Sequence, residues 1–113
     1  MEIIAETIDL ARLREMAGRR FGEMVKAVVD VEKGIMAVDA ELHADEEDAL
    51  LERGSAQANL WGINLYPDVA GESWIEFDSM INLRPSQGNR GRGVDDPDIR
   101  RRIVEIVARL VPR

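Results

Sequence analysis

The stretch M-V-K-A-V-V-D-V-E-K-G-I-M-A-V-D-A-E-L, residues 24–42, limits the possible folds more than any other part of the chain. Two alternating runs flank a Glu32-Lys33-Gly34 turn. In the first run Val25, Ala27, Val29 and Val31 oppose Lys26, Val28 and Asp30. In the second, Met36, Val38, Ala40 and Leu42 oppose Ile35, Ala37, Asp39 and Glu41. Strand side chains point to alternate faces with a period of two. Two such runs around a Gly-ended turn therefore predict a β-hairpin with one apolar face that something else must cover.

The cover is found on either side of the hairpin. A short strand over Glu2–Glu6 precedes a helix that Thr7 or Asp9 can cap and that runs to Arg20, with Leu10, Leu13, Ala17 and Phe21 at helical spacing. Asp45 reads as the N-cap of a second helix over Glu46–Arg53, with Gly54 as its stop. Leu60–Tyr66 reads as another strand. So does Trp74–Leu83, where Ile75, Phe77, Ile81 and Leu83 oppose Glu76, Asp78, Met80, Asn82 and Arg84, and residues 68–73 join these two strands as a second hairpin. Asp96-Pro97-Asp98 opens a last helix that carries Ile99, Ile103, Ile106, Val107 and Leu110 on one face. The order β-α-β-β-α-β-β-α predicts an α+β domain of two layers. A mostly antiparallel sheet of four to five strands in two hairpins packs three helices against one face.

A chain of 113 residues fits one domain, residues 1–113, with enough core to need no staples. The absence of cysteine excludes disulfides, thiolate catalysis and zinc-thiolate sites. No apolar run reaches the length of a membrane span. Met1–Ala5 is too short and acidic for a signal peptide, so the expected location is cytoplasmic. Charge divides unevenly within the net of -7. Residues 1–83 hold 18 acids against 7 bases, and residues 84–113 hold 4 acids against 8 arginines.

Chemistry is suggested in two places. The loop R-P-S-Q-G-N-R-G-R-G, Arg84–Gly93, combines three arginines with three glycines. Arginine forks suit multi-oxygen anions, and glycines let backbone approach a ligand. The loop lacks the endings of a phosphate-binding P-loop or a dinucleotide fingerprint. Asp95, Asp96 and Asp98 repel anions from the helix that follows, which leaves Arg84, Arg90 and Arg92 as anion ligands, with Asn82, Gln87 and Asn89 as polar contacts. The competing reading pairs these arginines with the chain's own Glu76, Asp78 or Asp95. The second place is His43, the sole histidine, placed at the end of the strand that carries Asp39 and Glu41. It is a candidate acid/base, with its imidazolium favoured by neighbouring acids and with Asp30, Glu41 and Asp78 as catalytic partners. His43, Asp45, Glu76 and Asp78 are weak candidates for a divalent metal site. The plainer reading has His43 orienting the helix entry.

V-V-D-V-E-K-G-I-M-A-V-D-A-E-L-H-A-D (Val28–Asp45), L-W-G-I-N-L-Y-P (Leu60–Pro67) and E-F-D-S-M-I-N-L-R-P-S-Q-G-N-R-G-R-G-V (Glu76–Val94) together resemble an uncharacterised family of small prokaryotic proteins catalogued as a domain of unknown function. The resemblance spans nearly the whole chain. It implies a stand-alone domain and brings no activity or catalytic residue with it.

The residues thus lead to two expectations. One is an enzyme-like domain, a hydrolase for instance, that binds a phosphate- or carboxylate-bearing small anion beside a His/carboxylate sheet face. The alternative is a non-catalytic interaction module, a homodimer, whose polar face is a structural network. Only Tyr66 among the aromatics shares the polar face and acids outnumber bases, which argues against nucleic acid as a partner.

Overall fold

In the computed structural model, which describes residues 1–113, five strands make one antiparallel sheet. They are β1 (Glu2–Ile4), β2 (Val25–Asp30), β3 (Ile35–Val38), β4 (Leu60–Leu65) and β5 (Ile75–Glu76), in the order β1-β3-β2-β4-β5. The helices are α1 (Leu10–Arg20), α2 (His43–Glu52) and α3 (Pro97–Leu110). Fold class and element order match the sequence reading.

The β2–β3 hairpin forms in the register the alternation demands, with Asp30 opposite Ile35 and Ala27 opposite Val38. Asp30 closes it. Its Oδ1 accepts from the Glu32 and Lys33 amides at 2.9 Å, and its Oδ2 accepts from the Ser55 hydroxyl at 2.6 Å. A buried carboxylate with both oxygens engaged in a turn is architecture. Asp30, expected from sequence as a catalytic partner, instead holds this turn and does not line the cleft described below.

Val25, Ala27, Val29, Met36, Val38, Trp61, Ile63 and Leu65 line one sheet face and belong to the main core, together with Leu13 and Met16 of α1 and Ile103, Val107 and Leu110 of α3. Side Asp9 caps α1 through the Arg12 amide at 2.8 Å, and side Asp96 caps α3 through the Asp98 amide at 2.8 Å. The helices do not all lie on one face. Val28, Ala37 and Leu60 are apolar at positions of the polar parity, and Leu50 of α2 packs on them as a second cluster. Helix α2 therefore covers part of the sheet's second face and leaves the rest open.

Two boundaries differ from the sequence reading, and both matter for the site. Helix α2 starts at His43, after Leu42 as a cap without a side-chain bond, so His43 is a helix residue and Asp45 lies in the first turn. The strand expected to reach Leu83 ends at Glu76. Beyond it the Ser79 hydroxyl accepts from the Ile81 amide at 3.2 Å and starts a 3-10 turn over Met80–Asn82. Local side-chain bonds of this kind compete with a ladder. Ile81 then joins the second cluster instead of the main core, and Leu83 is exposed.

The Asn82 side chain replaces the missing strand. Its Oδ1 accepts from the Gly62 amide at 2.8 Å and its Nδ2 donates to the Gly62 carbonyl at 3.0 Å, so an amide side chain pairs with β4 as a peptide would. Gly62 must be glycine for this approach. A Cβ there would lie 2.5 Å from both Cβ and Oγ of Ser79, whose own amide is tied to the Arg92 carbonyl at 2.9 Å. Gly62→Ala is expected to lower stability by about 1–3 kcal/mol in urea denaturation, as overpacking does.

Candidate functional site

The open part of the second face is a cleft of about 520 Å³ between the start of α2 and the chain that leaves β5. Its polar floor follows from register. Lys26 lies opposite Asn64, and Asn64 lies opposite Glu76, so the three form one row across β2, β4 and β5. Tyr66, two residues on from Asn64, points to the same side. His43 comes in from α2, and Asp78 and Arg92 from the segment after β5 and from the loop.

The side chains hold one another in place. Asn64 Nδ2 donates to Glu76 Oε1 at 2.9 Å and to the Asp78 carbonyl at 3.2 Å. The Tyr66 hydroxyl donates to the same Glu76 oxygen at 3.1 Å. Burial, then the bond to Glu76, raises the Tyr66 pKa, which keeps it a donor. Arg92 Nε bonds Asp78 Oδ1 at 2.7 Å, and these two charges offset each other. His43 Nε2 donates to the Ile63 carbonyl at 2.8 Å, since a carbonyl can only accept. Its second ring nitrogen, Nδ1, then carries the lone pair.

The acids were expected to favour the imidazolium, and the opposite holds. Burial lowers the His43 pKa below its ordinary value of 6.5. The Ile63 bond opposes that shift, the nearby Lys26 charge adds to it, and Asp78 and a hydrogen bond with Asn64 pull against it to a smaller extent. His43 is thus a neutral base at neutral pH.

Of the residues singled out from sequence, His43, Glu76, Asp78 and Arg92 line this cleft. The others do not. Glu41 is exposed and opens with Asp45 onto a different hollow. The cause is Asp39, which sits at φ 69° directly after β3 and breaks the strand parity that linked Glu41 to His43. Asp39 is held by Arg20 Nε at 2.9 Å and by Arg19 Nη2 at 3.3 Å. No three of the His, Asp and Glu side chains are grouped as metal ligands, so His43, Asp45, Glu76 and Asp78 do not form the metal set suggested from sequence.

The loop is folded inward. Arg84 is buried and donates Nε to the Ile81 carbonyl at 3.0 Å, Nη1 to the Gln57 carbonyl at 2.9 Å, and Nη2 to the Leu60 carbonyl. Its guanidinium also lies 4.4 Å from the Trp61 ring centroid. Gln87 supports this clamp with Oε1 on Arg84 Nη1 at 3.3 Å and Nε2 on the Ala58 carbonyl at 3.3 Å. Asn89 Nδ2 gathers the Asn82, Gly91 and Gly93 carbonyls, and its Oδ1 accepts from the Asp95 amide at 2.9 Å. Asn82 is occupied by Gly62. Arg84, Asn82, Gln87 and Asn89 therefore spend most of their hydrogen bonds on the chain itself, and none of them lines the cleft. Arg90 points outward, away from the cleft. Only Arg92 brings the loop's charge to the site.

A family model described as a protein of unknown function, DUF5674, matches residues 2–110. The chain belongs to this family. No curated protein and no solved structure matches it. Membership in DUF5674 supports the sequence resemblance over almost the full chain and assigns no activity.

Sequence reasoning misses Lys26 and Asn64 as site residues, although the alternation puts Lys26 on the polar side of its strand and Asn64 shares the parity of Tyr66. Their signal was the shared parity with Tyr66 and Glu76. It also missed Glu46, one residue past the expected cap. Glu46 is fully buried on the inner side of α2, with Oε2 accepting from the Ala40 amide at 3.1 Å and Oε1 without a partner. Burial raises its pKa to about 9, so it is protonated at neutral pH.

Proposed function

We propose that the chain binds a small ligand bearing a carboxylate or phosphate group in this cleft, as an enzyme-like domain in which His43 accepts a proton. The observation that carries the reading is the state of Lys26. It lies near enough to disfavour the His43 imidazolium, yet it has no carboxylate partner and only rests 5.3 Å from the Phe21 ring centroid. Arg92 adds terminal nitrogens beyond its bond to Asp78. A neutral, oriented imidazole beside an uncompensated cation suits proton removal from a bound anion.

The test is a nitrogen–proton NMR titration with inorganic phosphate and with acetate. Saturable shifts centred on Lys26, His43 and Arg92 are expected in wild type at millimolar concentration, weakened at least about tenfold in Lys26→Met. A wild-type spectrum that neither anion moves removes the reading.

One feature favours the interaction module as a second reading. Leu42 and Met80 flank the cleft and are 58% and 62% exposed. A homodimer that covers them would be split by Leu42→Glu, and sedimentation of the wild type as a monomer at high concentration would dismiss it.

A further inference from the structure

The cleft floor is a dipole that matches a ligand with two opposite charges. This point rests on reading the cleft as a ligand site. Its two ionised ends are Lys26 and Glu76. The other pair of charges, Arg92 and Asp78, is bonded within itself. Lys26 makes no ion pair, and Glu76 has no cationic partner: its bonds come from the neutral Asn64 amide and the Tyr66 hydroxyl, both on Oε1. The two residues do not reach each other because Asn64 lies between them in the row Lys26–Asn64–Glu76. Adjacent strands lie roughly 4.8 Å apart, so the two ends are separated by about 10 Å at the backbone.

Asn64 gives the floor its polarity. It is 4% exposed. Its Nδ2 faces two groups that only accept, the Glu76 carboxylate and the Asp78 carbonyl, and this determines which end of the amide is oxygen. That oxygen, Oδ1, is buried and receives no hydrogen bond while the His43 ring beside it is neutral, although the protonated ring would donate to it. A buried acceptor without a donor is costly. At the Glu76 end the free acceptors are thus the buried Asn64 Oδ1 and Oε2 of the solvent-exposed Glu76, and the neutral His43 ring adds its lone pair to the same lining. All of them accept. At the Lys26 end the unmet groups donate.

We infer that the ligand is a zwitterion of the amino-acid type, whose carboxylate lies at Lys26 and whose ammonium lies over Asn64 and Glu76. An ammonium carries three donors and a positive charge, which answers an acceptor-lined, negative end. A simple anion would leave Asn64 Oδ1 without a donor and the Glu76 carboxylate without a cationic partner. The flexible Met80 and Leu42 side chains at the cleft edge suit the apolar stretch that separates the two heads.

The experiment is a titration of the full chain, by calorimetry, with ω-amino acids of roughly four to eight carbons. Each is compared with the fatty acid and the alkylammonium ion of the same length. At least one amino acid is expected to bind at least about tenfold more tightly than both of its single-ended counterparts. Glu76→Gln keeps an oxygen for Asn64 and Tyr66, so the fold stays intact. This variant is expected to lose the amino acid's advantage over the fatty acid. If fatty acid and amino acid bind equally at every length, the inference fails and the anion site stands. If the alkylammonium ions bind as well as the amino acids, it fails as well. If nothing binds wild type, both readings fall.

Discussion

Arg84→Ala is expected to lower stability by about 3–5 kcal/mol, since removing one partner of a buried, charged network leaves the others unpaired. The Ile81, Gln57 and Leu60 carbonyls lose their donor together, and Trp61 loses the guanidinium stacked on it. Burial pulls the Arg84 pKa down and the Glu47 carboxylate opposes this, so the cation already carries a desolvation cost that its carbonyl partners offset. Arg84→Lys is expected to recover less than half of the loss, because an ammonium cannot span three carbonyls in the plane of a guanidinium fork. Thermal unfolding followed by calorimetry measures both. If Arg84→Ala melted within about 0.5 kcal/mol of wild type, as surface substitutions do, Arg84 would be a free surface arginine, and the loop would regain its place as an anion site.

Glu46→Gln is expected to stabilise the protein at neutral pH by on the order of 3 kcal/mol. The Glu46 pKa is raised from an ordinary value of 4.5 to about 9 in the folded chain. Between these values the folded state holds a proton that the unfolded state has released. The stabilising effect of Glu46 is therefore fully present below pH 4.5 and is lost as pH rises towards about 9. Glutamine keeps an oxygen for the Ala40 amide and carries no charge, so it removes this slope. Urea denaturation at a series of pH values should show the two proteins equal near pH 4.5 and diverging above it. Parallel curves across that range would mean that Glu46 is ionised in the folded protein. The acidic limb belongs to His43. Its lowered pKa contributes stability that is present above its ordinary value of 6.5 and is lost as pH falls through the folded value.

The legible parts of the chain were those where one residue type repeats with the period of an element. The β2–β3 hairpin, the Asp9 and Asp96 caps and the apolar faces of α1 and α3 all formed where their spacing placed them. Alternation failed from Phe77 to Leu83, although the run from Trp74 to Leu83 alternates in sequence. Pattern reports which side a residue would face if the backbone were extended, and Ser79 bent the backbone through its own hydroxyl. The same failure moved Asn82 and Arg84 out of the row that Glu76 and Asp78 began. Asp39 broke parity at the end of β3 in the same way and separated Glu41 from His43.

The sequence by itself determined the α+β class, the order of elements, and the polar face on which Lys26, Asn64, Tyr66 and Glu76 lie, because period-two and period-3.6 patterns are local properties of the chain. Only the tertiary structure decided which charges are free. An arginine reads the same in sequence whether its donors face a ligand or its own backbone. Three carbonyls occupy Arg84, two of them (Gln57 and Leu60) from a chain segment distant from the loop, and Asp78 occupies Arg92. Lys26 and Glu76 remain uncompensated because the strand between them puts an asparagine in the gap. Burial on the inner side of α2 made His43 a neutral base and Glu46 a neutral acid, and burial depends on what packs against a residue, which no local pattern records.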